Sequence, residues 1–251
     1  MAGFRAWMKL FRIQTGGLTA VAPVIGYLLA PPPQYYIITA YIHMFVLFGV
    51  GLSGHIFGNI FNEICDYELD RKAGYLKEKP LVSGTITISR AKLAANAFLA
   101  LALILGAIVS IANPMAYLFL ILSALFVYVY DKYGKKFFGS DFVLALGVAI
   151  MVIFGYETSQ PAIMFSTIVI VISALAFLQV AFNNSVEGGI KDADHDFIMG
   201  VKNIALASGV KVKGKDIFIP WHFKAFGMGI RLSSACLVFI PFIYSLNYYI
   251  W

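Results

Sequence analysis

Apolar residues along this chain gather into long runs, separated by shorter stretches that carry charge, proline or glycine. The runs lie at Gly17 to Ala30, Tyr36 to Gly58, Ala91 to Ile111, Met115 to Tyr130, Asp141 to Tyr156, Pro161 to Phe182 and Gly229 to Ile250. A helix needs about 20 predominantly apolar residues to cross the hydrocarbon layer, and repeated runs near that length are not produced by soluble cores. The pattern predicts an all-α fold, a polytopic membrane bundle of about seven spans in a single domain over residues 1–251. The first run reaches span length only by tilting or by taking in residues before Gly17.

Charge placement tests this assignment, because alternate connections must fall on opposite sides of the bilayer. Every Lys and Arg lies in the N-terminal segment, after the second run, after the fourth, or between the sixth and seventh. All of these belong to one side. The positive-inside rule makes that side cytoplasmic in a multi-pass cell-membrane protein. Of the acidic residues, only Glu157 falls on the other side. Composition agrees, with 60% hydrophobic and 13% charged residues, against roughly 25% charged in soluble domains. The net charge of +6 follows from orientation and contact with anionic lipid, and nucleic-acid binding is not expected. Cys65 and Cys236 have no disulfide or zinc-ligand spacing, and both read as small apolar residues. The first apolar stretch lacks a small-residue cleavage site, so it is expected to remain as a span and not to be removed as a signal peptide.

The candidate chemistry sits on the charged side. Asn62, Asp66 and Asp70 follow the second run at intervals of four, so a continuing helix places all three on one face. Asp192 and Asp196 repeat that spacing after the sixth run. Carboxylates so placed repel one another and ask for a cation, and oxygen ligands of this type suit magnesium with phosphate oxygens and water. Either cluster alone reads by default as a wetted interfacial loop. Two on the same face favour a paired site that holds magnesium on a diphosphate and stabilises charge as an allylic carbon–oxygen bond breaks. A cavity between helices would exclude water from the allylic cation, and aromatic ring faces, from 14 Tyr and 22 Phe, would stabilise it. Asp194 points elsewhere on the helical wheel, and His195 reads as a solvated neighbour. The loops after the second and sixth runs share a plan of spaced carboxylates followed by lysines, but too little identity to make a repeat.

At these residues the sequence resembles the UbiA superfamily of intramembrane prenyltransferases. Asn62, Asp66 and Asp70, with Arg71, Lys77, Lys79, Pro80, Ser83 and Gly84, match its first signature. Asp192, Asp196, Gly200, Val201, Lys202 and Gly209 match its second, and Arg12, Leu18, Thr19, Gly26, Lys135, Lys136 and Gly139 are weaker similarities. The resemblance covers about Arg5 to Gly209. It implies a helix bundle around a central cavity capped by the two aspartate loops. It also implies that Asp66, Asp70, Asp192 and Asp196, with Asn62, bind magnesium and the diphosphate of a polyprenyl donor. Arg12, Lys136 and Lys191 become phosphate contacts by the same analogy, the alternative being topology charges at the lipid surface. The acceptor is left open among 4-hydroxybenzoate-like aromatics, quinone precursors, haem, chlorophyllide and the phosphorylated lipid precursor geranylgeranylglyceryl phosphate. Three features depart from the family pattern: Glu63 stands where Asp is frequent, the segment from Asp70 to Pro80 is longer than usual, and the family usually has about nine spans.

Two other classes fit the sequence less well. A transporter or ion-pathway protein would need ionisable groups across the membrane, yet the runs hold few beyond His43 and His55. A CDP-alcohol phosphotransferase would need an Asp-Gly and Ala-Arg pairing ahead of its aspartates, which this sequence lacks.

Overall fold

The apolar runs fold as helices whose starts are marked by capping side chains and proline. The computed structural model of the protein describes residues 2–30, 37–73, 78–159, 166–213 and 216–243. Helix α1 (Ala2–Phe11) leads through a short 3-10 turn into α2 (Gly17–Leu28). Helices α3 (Ile37–Ala73), α4 (Ile88–Val109), α5 (Pro114–Tyr133), α6 (Ser140–Ser159) and α7 (Thr167–Phe182) come next. The side chains of Thr87, Asn113 and Ser166 accept from the backbone N–H of Arg90, Met115 and Val169, capping α4, α5 and α7. Such caps satisfy donors that a helix start otherwise leaves open. After α7 the chain makes a π-turn (Asn183–Gly188), then the short helices α8 (Gly189–Lys191), α9 (Ala193–Ile198) and α10 (Ile204–Ala207). A small antiparallel hairpin of β1 (Lys211–Lys213) and β2 (Asp216–Phe218), with Val212 opposite Ile217, leads into α11 (Trp221–Ile243).

Among the described residues, six helices are long and apolar enough to cross a membrane: α3, α4, α5, α6, α7 and α11. With the shorter apolar α2 they make seven, in an all-α membrane bundle. Residues before Gly17 do not lengthen α2 in a straight line, because Arg12 turns the chain with φ 49° and ψ 40°. The last helix begins eight residues earlier than its apolar run, after Pro220, because His222 and Lys224 are accommodated on it rather than ending it. The expected starts at Tyr36 and Pro161, the end at Ile250 and Lys77 lie outside the described residues.

Helix α3 has 37 residues, a length of about 55 Å. A hydrocarbon layer of about 30 Å takes up only its first part, so its last turns lift Asn62, Asp66 and Asp70 to the membrane face. Outer positions such as Ile38, Phe45, Ile104 and Leu118 stay exposed, as suits surfaces whose solvent is lipid. Helix α6 is the most enclosed of the spanning helices. It approaches α2 backbone to backbone, and a β-carbon at Gly155 would lie 1.8 Å from the Pro23 carbonyl oxygen, one at Gly26 1.9 Å from that of Val152. Small residues at helix contacts of this kind are what allow close packing where water does not drive association.

Gly155→Ala should therefore separate α2 from α6 and lower stability by about 3 kcal/mol. A fall of several degrees in the thermal midpoint of detergent-purified protein is expected. Gly229→Ala, whose β-carbon meets nothing within 4 Å, should leave the midpoint unchanged or slightly raised.

Candidate active site

The long α3 presents its carboxylates at intervals of one turn, and burial decides what they must find. Asp70 is 1% exposed and Asp66 6% exposed. A carboxylate this far from water requires a cation or several hydrogen bonds. Asp70 Oδ2 is paired with Lys79, from the loop that returns toward α4. Asp66 Oδ2 lies 2.8 Å from Lys135 Nζ, on the 3-10 turn Gly134–Lys136 after α5. Asn62 Nδ2 donates to Asp131 Oδ1 at 3.3 Å. Glu63, 4% exposed, takes Arg12 Nη2 at 3.3 Å, which makes it an anchor for the turn between α1 and α2.

The second cluster is brought to the same end. The π-turn interrupts the helical register after α7, and α8 stops at Lys191. Asp192 then starts α9, with the Asp196 N–H donating to the Asp192 carbonyl at 2.8 Å. The two carboxylates are one helical turn apart, as their spacing suggests, but on a short segment that does not continue α7. Asp196 Oδ2 accepts from Asn203 Nδ2 at 2.6 Å, and its Oδ1 lies 3.5 Å from His195 Nδ1. Burial pushes the Asp196 carboxyl above the usual carboxylate range; Lys135 and Asn203 oppose this, Asp192 adds to it and His195 opposes it. Lys135 thus acts on both clusters. Its carbonyl also accepts from the Lys202 N–H at 3.2 Å, tying the α5 turn to the α9–α10 loop.

Beneath the carboxylates lies a cavity of about 390 Å³, within the ordinary range for small-molecule sites. Its polar wall includes Arg12, His55, Asn59, Asn62, Asp131, Asn183 and Asn184. Its apolar wall runs past Leu99, Ala102 and Leu103 to Leu120, about 16 Å along α5 from Asp131. His55 is fixed at the wall by Thr19 Oγ1, 2.8 Å from Nδ1, and by Asn59 Nδ2, 3.0 Å from Nε2.

The expected residues divide clearly. Asn62, Asp66, Asp70, Asp196 and Arg12 reach the site end, and Asp192 is there with an exposed side chain. Lys136 is exposed, its ammonium 5.7 Å from the Tyr133 ring, and Lys191 is exposed beside Asp192. The lysines that meet the carboxylates are Lys135, at Asp66, and Lys79, at Asp70. Asp194 is exposed and turned back on the His195 N–H. His195 lies against Asp196 and is not merely solvated. Asp131, Asn183 and Asn184 were not singled out by the sequence; only the cavity exposes their shared environment.

The donor set fits magnesium. Asp70 Oδ1 is buried without a hydrogen-bond partner, and the available ligands are hard oxygens. Among the described residues no three acidic, His or Cys side chains converge enough to cage a metal by themselves. Magnesium does not need such a cage, since it typically takes one or two carboxylates and completes its shell with phosphate oxygens and water.

A family profile described as the UbiA prenyltransferase family matches residues 19–251. The chain belongs to this family. It is a multi-pass membrane enzyme of prenyl transfer. The UbiA match extends past Gly209 to the last residue of the chain. Similar proteins include the digeranylgeranylglyceryl phosphate synthase of Methanocaldococcus jannaschii, 26% identical over 98% of this chain and 86% of that one. The enzyme of the same name from Sulfurisphaera tokodaii is 24% identical over 97% of this chain and 80% of that one. The UbiA fold is shared with a homolog from Archaeoglobus fulgidus solved with GPP and Mg2+ bound, with TM-score 0.69 at 20% identity, covering 92% of this chain and 76% of that one. A homolog from Aeropyrum pernix K1 gives 0.66 at 17% identity, over 94% and 78%.

The lysine geometry makes a simple distinction testable. Lys135→Ala leaves Asp66 buried without its cation and should cost about 1–3 kcal/mol, read as a lower thermal midpoint without added metal. Lys136→Ala should stay within about 0.5 kcal/mol of the parent.

Proposed function

We propose that this prenyltransferase moves a prenyl group from a polyprenyl diphosphate to a phosphorylated lipid precursor of the geranylgeranylglyceryl phosphate type, releasing diphosphate. The carrying observation is the gathering of both carboxylate clusters at one end of the bundle, where the turn whose Lys135 pairs with Asp66 is tied to the loop after Asp196, above a cavity with a polar mouth and an apolar body. The names of the two curated relatives support this acceptor over a 4-hydroxybenzoate-like one, as does the number of basic residues at the site end. In this reading the whole chain acts as one domain, and its site face is cytoplasmic because the lysines and arginines gather there.

Asn62, Asp66, Asp70, Asp192 and Asp196 would hold magnesium on the diphosphate. Magnesium so held supplies Lewis-acid stabilisation of the charge that develops on the leaving diphosphate. Lys135 and Lys79 neutralise carboxylates in the free protein and are within side-chain reach of the same diphosphate when metal takes their place. Arg12 stands at the cavity wall as a further anion contact, while Lys136 and Lys191 contribute to the basic surface through which substrate approaches. The apolar walls take the prenyl chain and keep water from the reacting carbon. The acceptor hydroxyl oxygen replaces the diphosphate oxygen on that carbon, so one C–O bond forms as another breaks and the hydroxyl proton leaves with the released diphosphate.

Release of diphosphate by purified protein, given geranylgeranyl diphosphate, magnesium and geranylgeranylglyceryl phosphate, tests the reading. Release that depends on this acceptor is expected; release only with 4-hydroxybenzoate would replace the acceptor and leave prenyl transfer standing. Asp66→Ala and Asp192→Ala should each lower turnover at least a hundredfold while retaining a cooperative melt, and normal turnover in either would sink the site assignment. Excess chelator should abolish release and magnesium should restore it. Undiminished release in chelator would count against the metal.

A further inference from the structure

An open groove of about 400 Å³ lies between α7 and α11, lined by Phe182, Lys224, Gly227, Met228, Arg231 and Leu232. It is separate from the central cavity. Met228 and Leu232 on its lining are 63% and 62% exposed, so the groove opens outward from the bundle toward lipid. Arg231 is ten residues into an apolar spanning helix, where a charged side chain is costly and marks a functional site by default.

The environment of Arg231 is built. Its guanidinium carbon stands 3.7 Å from the centre of the Phe182 ring. Nη1 donates to Gln179 Oε1 at 2.8 Å, and Nη2 lies 3.7 Å from Glu187 Oε1. Stacking fixes the plane of the guanidinium and directs its edge to oxygen acceptors, now Gln179 and Glu187, the arrangement that suits arginine to phosphate. Helical side chains lean toward the N-terminus, which carries Arg231 back toward Lys224, two turns earlier on the same face. Gly227, between them, keeps the floor of the groove low. Met228 and Leu232 extend it along the membrane normal with apolar surface. Two cations above an apolar slot complement an anionic headgroup with an attached hydrocarbon chain.

We propose that this groove binds a membrane lipid with an anionic phosphate headgroup, held by Arg231 and Lys224. Glu187 competes with that phosphate for the guanidinium. The competition gives the proposal a sign that a purely structural ion pair lacks. If Arg231 and Glu187 merely brace α7 against α11, removing either partner weakens the protein in the same direction. If the groove is a phosphate site, removing Glu187 improves binding while removing Arg231 impairs it.

The experiment titrates the full chain in detergent with dioleoylphosphatidylglycerol, dioleoylphosphatidylcholine or inorganic phosphate, reading bound lipid by native mass spectrometry and the thermal midpoint in parallel. Preferential retention of phosphatidylglycerol is expected. Arg231→Gln should weaken it about tenfold, Lys224→Gln several-fold, and Glu187→Gln should strengthen it several-fold. Equal retention of the two lipids, weaker binding in Glu187→Gln, or displacement of the lipid by millimolar inorganic phosphate would each overturn the proposal. None of these residues belongs to the carboxylate clusters, so prenyl transfer can stand or fall separately.

Discussion

Burying carboxylates at a membrane face is the constraint from which the site end of this molecule derives. Asp66 and Asp70 are almost wholly withdrawn from solvent, and an unpaired charge in that position would cost several kcal/mol. Each has therefore drawn a lysine from a different connection, Lys135 from the turn after α5 and Lys79 from the loop before α4. These two pairs organise the connections as much as the apolar packing does. The loop around Leu81 and Ile86 shares a core with Ala6 and Leu10 of α1, and Lys9 reaches the Glu78 carbonyl at 2.9 Å. The result is a cap whose parts come from distant stretches of sequence and whose shared reference point is a row of carboxylates on α3.

The same constraint explains why the second cluster is not a simple copy of the first. Asn62, Asp66 and Asp70 ride on an uninterrupted helix, so their direction is set by α3 alone. Asp192 and Asp196 come after a π-turn and a helix of three residues, each of which changes the register. π-Turns of this sort are frequent at functional sites, where the extra residue re-aims the next stretch of chain. Here the turn swings the chain from the wall of the bundle to its mouth, where Asn203 receives Asp196 and the Lys202 N–H meets the Lys135 carbonyl.

The spans and the first cluster were legible because both depend on local periodicity: apolar length marks the helices, and intervals of four mark one face. Positive-inside counting placed both clusters on one side without any knowledge of packing. What could not be read was register outside regular helix. Lys135 and Lys136 are adjacent, and only the 3-10 turn that carries them decides which faces Asp66. Asp131 sits beside Lys132 at the end of an apolar run and looks like part of a wetted connection, yet α5 continues through it and turns it to the cavity. The start of α11 was hidden for the opposite reason. Polar residues ordinarily mark a break, but His222 and Lys224 are accommodated, exposed, on a continuous helix.

Glu157 shows why the kind of partner matters as much as burial. It is 2% exposed and lies 17 residues beyond the start of α6, about 25 Å from the site end. Its Oε2 accepts from Asn113 Nδ2 at 2.9 Å, and the same amide reaches the Glu157 carbonyl. That double contact fastens the cap of α5 to the last turn of α6, with Thr158 beside it held by His43 at 3.0 Å. Glu157 Oε1 is buried without a hydrogen-bond partner, as Asp70 Oδ1 is, but the group that holds Oε2 is a neutral amide and not a cation. Lys135 and Lys79 are different, since each is a partly exposed cation on a flexible stem. Equally buried carboxylates thus sit at opposite ends of the bundle with opposite kinds of partner, a neutral amide that joins two helices at one end and lysine cations at the mouth of the cavity at the other.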